Sequence, residues 1–504
     1  MGELLTEAGI VLNDTDEIAP SVDTVIPRNS AAPLSITIVR VTETTEVIPE
    51  SIPFARRIVR SAELSSTDPP RIVQIGAPGL REVTVRIVYR DGLEAERWPT
   101  AFTIVEPAVD EIVMIGVGSS RDTVPVIGRL AYLNEGRAIL LENTTGSPRQ
   151  LPVDGTLDGR VFQLSPDGRY LLYTASTTNN EQTGFRNELW LIPTTGDSQA
   201  QSLRIENVLW AGWDPAAINP PRFAYTTARS TTLPPGWEAN NDLWLMSLPS
   251  ADGTTAPVRL VETYPAAYGW WGGNYAWSPD GQALAFAFAD QIGLLAMPAA
   301  DTFTGEENIT ALPEPQRTVL HSFTAYDTGA DWAWVSPLSW SADGQLLAFV
   351  EPMAESGQFD MRQVNISTGD VLTPAEDVGI WSAAQWSPPA HLPDSLLASF
   401  QIAEPDTGED SGYVLWLSDN NGDGGRRYFP PEGESGRIDP ESTPASQSLA
   451  WSPDGTLLAF LFDGGLHILD LASGEILRPE QDDTTSRNLT WSPYGAGNDE
   501  STSP

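Results

Sequence analysis

The chain has 504 residues and a formal net charge of −40, and it contains neither cysteine nor lysine, so all 28 basic side chains are arginine. These facts exclude disulfides, thiol nucleophiles, Walker-type phosphate loops and Schiff-base chemistry, and the negative charge disfavours nucleic acid and anionic membranes as partners. Seventeen tryptophans argue against a disordered chain, and no apolar run approaches the roughly 20 residues of a membrane-spanning helix.

Residues 1–41 are predicted to form a small α+β element. The run GELLTEAGI at 2–10 predicts a short helix closed by Gly9, and LSITIVR at 34–40 predicts a strand. This segment is similar to part of the ubiquitin-like repeat that precedes G-five domains in cell-wall proteins of the resuscitation-promoting-factor and YabE type. The hairpin that normally begins that repeat is missing, so we expect further residues, with a secretion signal or an anchor, upstream of Met1.

Residues 42–118 are rich in predicted strands, with Asp91-Gly92 as a hairpin turn. They resemble the G-five domain, although Asp68-Pro69-Pro70 stands where the family often has a further glycine. The resemblance implies an elongated β-domain of a bacterial surface protein that acts as a stalk or binds N-acetylglucosamine. The alternating arginines Arg81, Arg86 and Arg90 are interpreted as a solvated strand face. The positions that carry the resemblance are Ile52-Pro53-Phe54, Gly76, Gly79, Tyr89, Gly92, Pro107, Ile112 and Gly116.

After a linker at 119–124, a pentapeptide pattern recurs through the rest of the chain. It stands as LSPDG at 164–168, WSPDG at 277–281, WSADG at 340–344 and WSPDG at 451–455, with degenerate copies at 212–215, 386–389 and 491–495. Ser-Pro-Asp-Gly is turn chemistry, so the motif is predicted to join a first strand to a second, with its tryptophan packed between neighbouring repeats. Three further β-rich runs follow most copies.

Four strands per repeat at this spacing are typical of β-propeller blades. Residues 125–495 resemble the TolB-like, WD-repeat-like propellers, and the fold is predicted to be all-β with seven blades, or six if one degenerate unit is an insertion. The first predicted blade lacks its first strand. The last copy of the motif, at 491–495, belongs to a repeat that contains only a first strand. We therefore expect a three-plus-one closure in which Leu489–Ser492 pairs with Arg129–Leu133. The tail at 496–504 is predicted to be disordered.

No catalytic residue, metal site or cofactor is predicted. The three histidines, His321, His391 and His467, lack metal-ligand spacing, and no nucleophile elbow accompanies them. The segment Asp419–Asp423 matches the first half of a calcium loop, but Pro430 occupies the twelfth position, which favours a turn and leaves calcium open. A glycan-acting enzyme that uses paired carboxylates stays an alternative, without a pair that stands out.

The long loops carry the functional prediction. Six inserts, at 176–187, 229–241, 263–275, 322–337, 403–412 and 430–445, are expected on one propeller face, and a seventh at 298–316 on the other. Flat amphipathic rings suit stacking on sugars or gripping a peptide, although each ring could instead pack beneath its loop. The ligand-binding candidates are Trp237, Tyr264, Tyr268, Trp270, Trp271, Tyr275, Tyr326, Trp332 and Trp334.

The function predicted from these features is that of a non-catalytic, extracellular or surface-bound bacterial binding protein. The G-five region would tether it to cell wall or glycan, and the propeller would present a recognition face to a cell-wall glycan, to peptidoglycan or to a surface protein. The first alternative is a protein–protein interaction scaffold, as the TolB-like resemblance implies. The second is the glycan-acting enzyme.

Overall fold

The computed structural model describes the chain except residues 1, 14, 26–34, 53–55, 62–70, 110, 117–122, 178–185, 197–198, 233, 249–255, 265–268, 300–311, 355, 389–394, 405–411, 420–424, 432–446, 480–484 and 493–504. Most of the predicted linker and the whole predicted tail therefore lie outside the described residues. The chain divides into two compact units, the first made of residues 1–60 and 68–115 and the second of residues 61–67 and 116–504.

The described part of the first unit begins with the predicted helix. Helix α1 spans Gly2–Glu7, and Gly9 closes it in a left-handed conformation with φ of 70°. No helix in the described part of the chain is long and apolar enough to cross a bilayer. The strands that follow are β1 (Glu17–Ala19), β2 (Thr37–Val39), β3 (Val41–Ile52), β4 (Arg56–Ser61), β5 (Arg71–Gln74), β6 (Gly79–Arg90), β7 (Leu93–Glu106) and β8 (Glu111–Gly116).

These strands form three small antiparallel sheets with the orders β1-β2, β3-β6-β7 and β4-β8-β5. The predicted turn at Asp91-Gly92 joins β6 to β7, and both residues have positive φ, which is the backbone that this hairpin turn requires. The buried apolar cluster of the central sheet is small and consists of Val83, Val85 and Ile87, with Ile48 and Tyr89 packed against it.

The arginines of β6 form cross-strand ion pairs at the surface, as expected for a solvated face. Arg81 lies 2.9 Å from Glu50, Arg86 pairs with Glu43, and all three arginine side chains, including Arg90, are about 40% exposed.

The second unit contains only strands in its described part. They are β9 (Pro125–Asn134), β10 (Arg137–Gln150), β11 (Thr156–Leu164), β12 (Tyr170–Ser176), β13 (Asn187–Pro193), β14 (Gln201–Glu206), β15 (Val208–Ile218), β16 (Pro221–Ser230), β17 (Trp237–Ala239), β18 (Leu243–Ser247), β19 (Val258–Val261), β20 (Asn274–Trp277), β21 (Ala283–Phe288), β22 (Gln291–Ala296), β23 (Arg317–Ser322), β24 (Leu338–Trp340), β25 (Leu346–Pro352), β26 (Phe359–Asn365), β27 (Val371–Ala375), β28 (Ala383–Trp386), β29 (Leu396–Ile402), β30 (Tyr413–Asp419), β31 (Arg426–Phe429), β32 (Leu449–Trp451), β33 (Leu457–Phe462), β34 (Gly465–Asp470), β35 (Ile476–Leu477) and β36 (Ser486–Trp491).

These strands are arranged in seven antiparallel sheets, which we number I to VII. Sheet I has the order β10-β9-β36 and so joins the two ends of the unit. Sheet II is β11–β14, sheet III is β15, β16, β18 and β19 with β17 attached to β16, and sheets IV to VII take the remaining strands four at a time in chain order.

The predicted pairing between the two ends of the unit is found. Thr490 pairs with Ala131 and Trp491 with Leu130, and the Ser492 N–H donates to the Arg129 carbonyl at 2.9 Å. Sheet I nevertheless has three strands rather than the four that we expected, because residues 147–150, which would begin the last strand of that blade, are part of β10. The chain still folds back there, since the Leu151 N–H donates to the Ala138 carbonyl at 2.9 Å.

The pentapeptide motifs form the turns that were predicted from them. In each full copy the serine hydroxyl donates to the aspartate two positions later, as Ser278 does to Asp280 at 2.6 Å, and the glycine has a φ of about 70°. The tryptophan indole N–H then donates to a backbone carbonyl of the preceding sheet, as from Trp277 to Gly212 at 2.9 Å and from Trp340 to Ala276 at 3.0 Å. The motif thus makes one turn and one contact between sheets.

The sheets of the second unit contact one another in cyclic order. Seven buried apolar clusters of the described residues each combine two neighbouring sheets, and one of them joins sheet VII to sheet I. The first strands also follow this order, and β36 packs against both β11 and β32. The Leu164 N–H donates to the Thr490 hydroxyl at 3.1 Å across the junction of sheets II and I. Every sheet is therefore covered on both faces.

Candidate functional site

The aromatic candidates lie in β17, in β20 and on the segments that connect sheet III to sheet IV and sheet IV to sheet V. Two of the nine, Trp237 and Trp334, are buried, with 6% and 3% of their surface exposed. Tyr268 lies outside the described residues. The other six are partly exposed: Tyr264, Trp270, Trp271, Tyr275, Tyr326 and Trp332.

Trp237 supports a group of tryptophans at the edge of sheet III. The insert at 229–241 forms the extra strand β17, and this pairing with β16 turns the Trp237 ring inward. Its ring centroid lies 4.8 Å from that of Trp271, which meets Trp270 edge to face at 5.6 Å. The Arg160 guanidinium lies over Trp237 at 5.6 Å, and burial lowers the pKa of this arginine despite the opposing charge of Asp158. Trp237 therefore packs under the loop while Trp270 and Trp271 form its outer side.

A cavity of about 190 Å³ lies between sheets III and IV. The Arg317 guanidinium closes one side, stacked over the Phe286 ring at 4.4 Å and donating to the Tyr264 hydroxyl at 2.9 Å. Burial raises the pKa of the Tyr275 hydroxyl, which therefore stays protonated at physiological pH. The cavity is lined by Asn241, Leu243, Val261, Tyr264, Tyr275, Leu295, Glu314, Pro315 and Arg317.

Asn241 is the least satisfied polar group of this cavity. Its side chain is almost fully buried, and its Nδ2 donates to the Tyr264 carbonyl at 3.1 Å. No described residue donates a hydrogen bond to its Oδ1. Leaving a buried acceptor unpaired costs about 1–3 kcal/mol, so this position of Asn241 lowers the stability of the fold.

The remaining aromatic candidates pack between sheets V and VI. The Trp334 indole N–H donates to the Ile380 carbonyl at 2.9 Å, and its ring lies 5.2 Å from that of Phe359. Tyr326 meets Phe359 from another side at 5.0 Å, and Trp332 stacks on Trp381 at 5.4 Å. Trp334 is thus a packing residue, whereas Tyr326 and Trp332 keep part of their surface in solvent.

Sequence reasoning missed three polar residues of the cavity, namely Asn241, Glu314 and Arg317. One signal was available, because NDLWL at 241–245 repeats NELWL at 187–191 and so marks Asn241 as a recurring position. Nothing in the sequence places Arg317 against Tyr264, since the two belong to different sheets.

The other chemical candidates stand as follows. His321 lies 3.1 Å from Glu351, His467 is buried among phenylalanine rings, and His391 lies outside the described residues. Among the residues that the structure describes, no three His, Asp or Glu side chains are grouped as metal ligands. Asp419 ends β30 and Arg426 begins β31, as expected for a turn between a third and a fourth strand, while residues 420–424 of the calcium interpretation are not described.

Comparisons with known proteins concern both units. Residues 43–117 match the G5 domain family, which is the G-five domain of the sequence analysis. Resuscitation-promoting factor RpfB of Mycolicibacterium smegmatis is 29% identical over 124 residues, which are 24% of this chain and 33% of that protein. The chain thus matches about a third of the length of this curated relative.

Solved structures give two further similarities. The G5 domain of IgA1 protease is 23% identical, covers 16% of this chain and 90% of its own, and has a TM-score of 0.13. A putative TolB from Agrobacterium tumefaciens is 12% identical, covers 73% of this chain and 99% of its own, and has a TM-score of 0.35.

Proposed function

We propose that the chain is a non-catalytic binding protein of a bacterial cell surface. In this proposal the G5 region tethers the protein to cell wall or glycan. The second unit is a seven-bladed β-propeller with the three-plus-one closure, and its loops present a recognition face.

The cyclic order of the sheets supports the propeller. Seven sheets that each share an apolar cluster with the next, and a terminal strand that contacts both β11 and β32, fit a ring of blades better than an open stack. An open stack would leave the outer faces of its first and last sheets without a partner.

The match to the G5 domain and the similarity to a resuscitation-promoting factor support a place at the cell surface. We propose that peptidoglycan or another cell-wall glycan is the partner. The strongly negative charge of the chain argues against nucleic acid as that partner.

The main support for a recognition role is the group of partly exposed aromatic rings on the connecting segments of the second unit. Trp271 rests on the buried Trp237, and Trp270 meets Trp271 edge to face, so the two outer rings are held in place before any ligand arrives. Rigid, amphipathic rings of this kind bind sugar faces and peptide side chains without a large loss of conformational entropy.

A retention assay on purified peptidoglycan tests the proposal with the full chain. We expect the wild type to be retained and the double variant Trp270→Ala/Trp271→Ala to lose most of its retention, by about tenfold. The variant Trp190→Ala is the matched control, because Trp190 is also partly exposed but lies in β13 and stacks on Tyr173. Absence of retention for the wild type would refute glycan binding and favour the interaction scaffold, while release of soluble sugars would favour the glycan-acting enzyme.

A further inference from the structure

Two arginines in neighbouring sheets of the second unit each have a glutamate three positions away, and the two pairs behave differently. In β19 of sheet III, Arg259 lies 2.8 Å from Glu262 and forms a surface ion pair with it. At the start of β23 in sheet IV, Arg317 does not pair with Glu314, and no other described carboxylate lies within ion-pair distance of its guanidinium. Acidic residues outnumber basic ones by 68 to 28, so a shortage of carboxylates does not explain the missing partner.

The Arg317 guanidinium is held in place by aromatic rings instead. It lies 4.4 Å from the centre of the Phe286 ring, 5.3 Å from that of Phe288 and 5.6 Å from that of Tyr264. Among the described residues, the Tyr264 hydroxyl is the one acceptor of its N–H groups, at 2.9 Å. Arg317 is an exposed residue that lines the cavity between sheets III and IV, so its other donors are open to a ligand. A guanidinium that is fixed before a ligand arrives suits a carboxylate, which accepts parallel N–H bonds from it.

The cavity separates its charged residues from its apolar ones. Arg317 and Glu314 are exposed and stand at its open side. A volume of about 190 Å³ is below the roughly 300–1,000 Å³ of sites for drug-sized molecules, so the space suits a compact ligand. Its remaining walls are mainly buried aliphatic side chains and two partly buried rings, namely Leu243, Val261, Leu295, Tyr264 and Tyr275.

The two opposite charges at the open side restrict the ligand. A purely anionic ligand would be attracted by Arg317 but repelled by Glu314, and a purely cationic ligand would meet the reverse. A zwitterion carries both charges, so its carboxylate pairs with Arg317 and its ammonium group with Glu314. An apolar group between these two charges would then leave water for the aliphatic walls.

We propose that this cavity binds a free α-amino acid with an apolar side chain. The carboxylate of the amino acid accepts hydrogen bonds from the Arg317 guanidinium, its ammonium group donates to the Glu314 carboxylate, and its side chain enters the space beside Tyr264 and Tyr275. This site is additional to the cell-surface role proposed above and does not depend on it.

The test is a titration of the full chain with both enantiomers of leucine, followed by NMR of the ligand. We expect at least one enantiomer to bind, and Arg317→Gln and Glu314→Gln each to weaken that binding by about tenfold or more. Arg259→Gln is the matched control, because it removes the same group from an arginine that already has its glutamate, and it should leave the affinity unchanged. Unfolding midpoints near that of the wild type show that a lost affinity is not a lost fold.

Two derivatives of leucine assign each charge to its residue. Leucinamide lacks the carboxylate and N-acetyl-leucine lacks the ammonium group, so each should bind about tenfold or more weakly than leucine. Arg317→Gln should not weaken the binding of leucinamide further, and Glu314→Gln should not weaken that of N-acetyl-leucine further. In each case the group that the side chain pairs with is already missing.

The outcomes separate this site from the proposed cell-surface role. Failure of both enantiomers to bind the wild type overturns the site, and so does leucine binding that either variant leaves unchanged. Derivatives that bind as tightly as leucine overturn the pairing of charges on which the site depends. Leucine binding without retention on peptidoglycan refutes the cell-wall role and leaves the site in place, whereas retention without leucine binding refutes the site alone.

Discussion

Asp214 and Arg222 form an ion pair that is almost completely removed from solvent, with 0% and 1% of their side chains exposed. Arg222 Nε donates to Asp214 Oδ2 at 2.9 Å and its Nη1 to the Ala299 carbonyl at 3.2 Å, and the guanidinium lies 5.7 Å from the centre of the Trp277 ring. The pair therefore fills the junction of sheets III and IV. Removing one partner of such a pair leaves a buried charge without compensation, which costs about 3–5 kcal/mol.

We therefore expect Asp214→Asn to lower the free energy of unfolding by about 3–5 kcal/mol. The double variant Asp214→Leu/Arg222→Met should lie within about 1 kcal/mol of the wild type or above it, because no charge is then buried. The assay is urea denaturation followed by tryptophan fluorescence, with midpoints compared at an unchanged slope.

The control for this prediction is Glu238→Gln, because the Arg229–Glu238 pair is exposed on both sides and should contribute less than about 1 kcal/mol. A loss below 1 kcal/mol for Asp214→Asn would refute the reasoning. So would a double variant as unstable as the single one.

Three further predictions concern stability. Burial lowers the pKa of His467 to about 4, so the unfolded chain protonates this histidine at a higher pH than the folded chain does, and this group lowers stability by about 3 kcal/mol as pH drops from 6.5 towards 4. Denaturation across this range should show a steeper loss of stability for the wild type than for His467→Leu, because the carboxylates titrate in both proteins; equal slopes would contradict the prediction. A Cβ at Gly281 would lie 2.3 Å from Asp214 Oδ1, whereas a Cβ at Gly455 would meet no atom nearer than 3.6 Å. Both glycines have a φ near 70°, so the backbone strain of an alanine is the same at both positions, and Gly281→Ala should lower the thermal midpoint clearly more than Gly455→Ala. Equal losses would contradict the clash. Trp491→Ala should lower the free energy of unfolding by about 3–5 kcal/mol. The Trp491 ring is 7% exposed and packs between sheets VII and I, and its indole N–H donates to the Ile127 carbonyl at 2.8 Å. A loss under about 1 kcal/mol in urea denaturation would contradict that role.

The repeated motif made much of the second unit predictable, because it combines a turn with a fixed place in the sheet. Ser278, Asp280 and Gly281 form a local turn whose geometry depends only on neighbouring residues, and the same holds for Asp91-Gly92. Pairing of the two chain ends was predictable too, since an incomplete repeat at each end leaves an unpaired strand edge.

Burial of the loop rings was not predictable, because it depends on residues that are distant in sequence. Trp237 turns inward only since β17 pairs with β16, and Trp334 is buried by Ile380 and Phe359 of other segments. The cavity could not be predicted from the sequence for the same reason, because the residues that line it come from separate segments of the chain. Asn187 and Asn241 stand in the similar runs NELWL and NDLWL, yet Asn187 Oδ1 accepts from the Val208 N–H whereas Asn241 Oδ1 has no donor among the described residues.

The hydrogen bond from the Arg129 N–H to the Ser492 hydroxyl joins residues 363 positions apart, and this separation has a consequence for synthesis. At about 5–20 residues per second, translation needs roughly 20–70 s to add the residues between them. During that time the edge of β9 that pairs with β36 has no partner strand, and the apolar residues of sheet I that pack against sheet VII have no partner. We therefore expect the nascent chain to expose apolar surface and an unpaired strand edge until β36 has been synthesised.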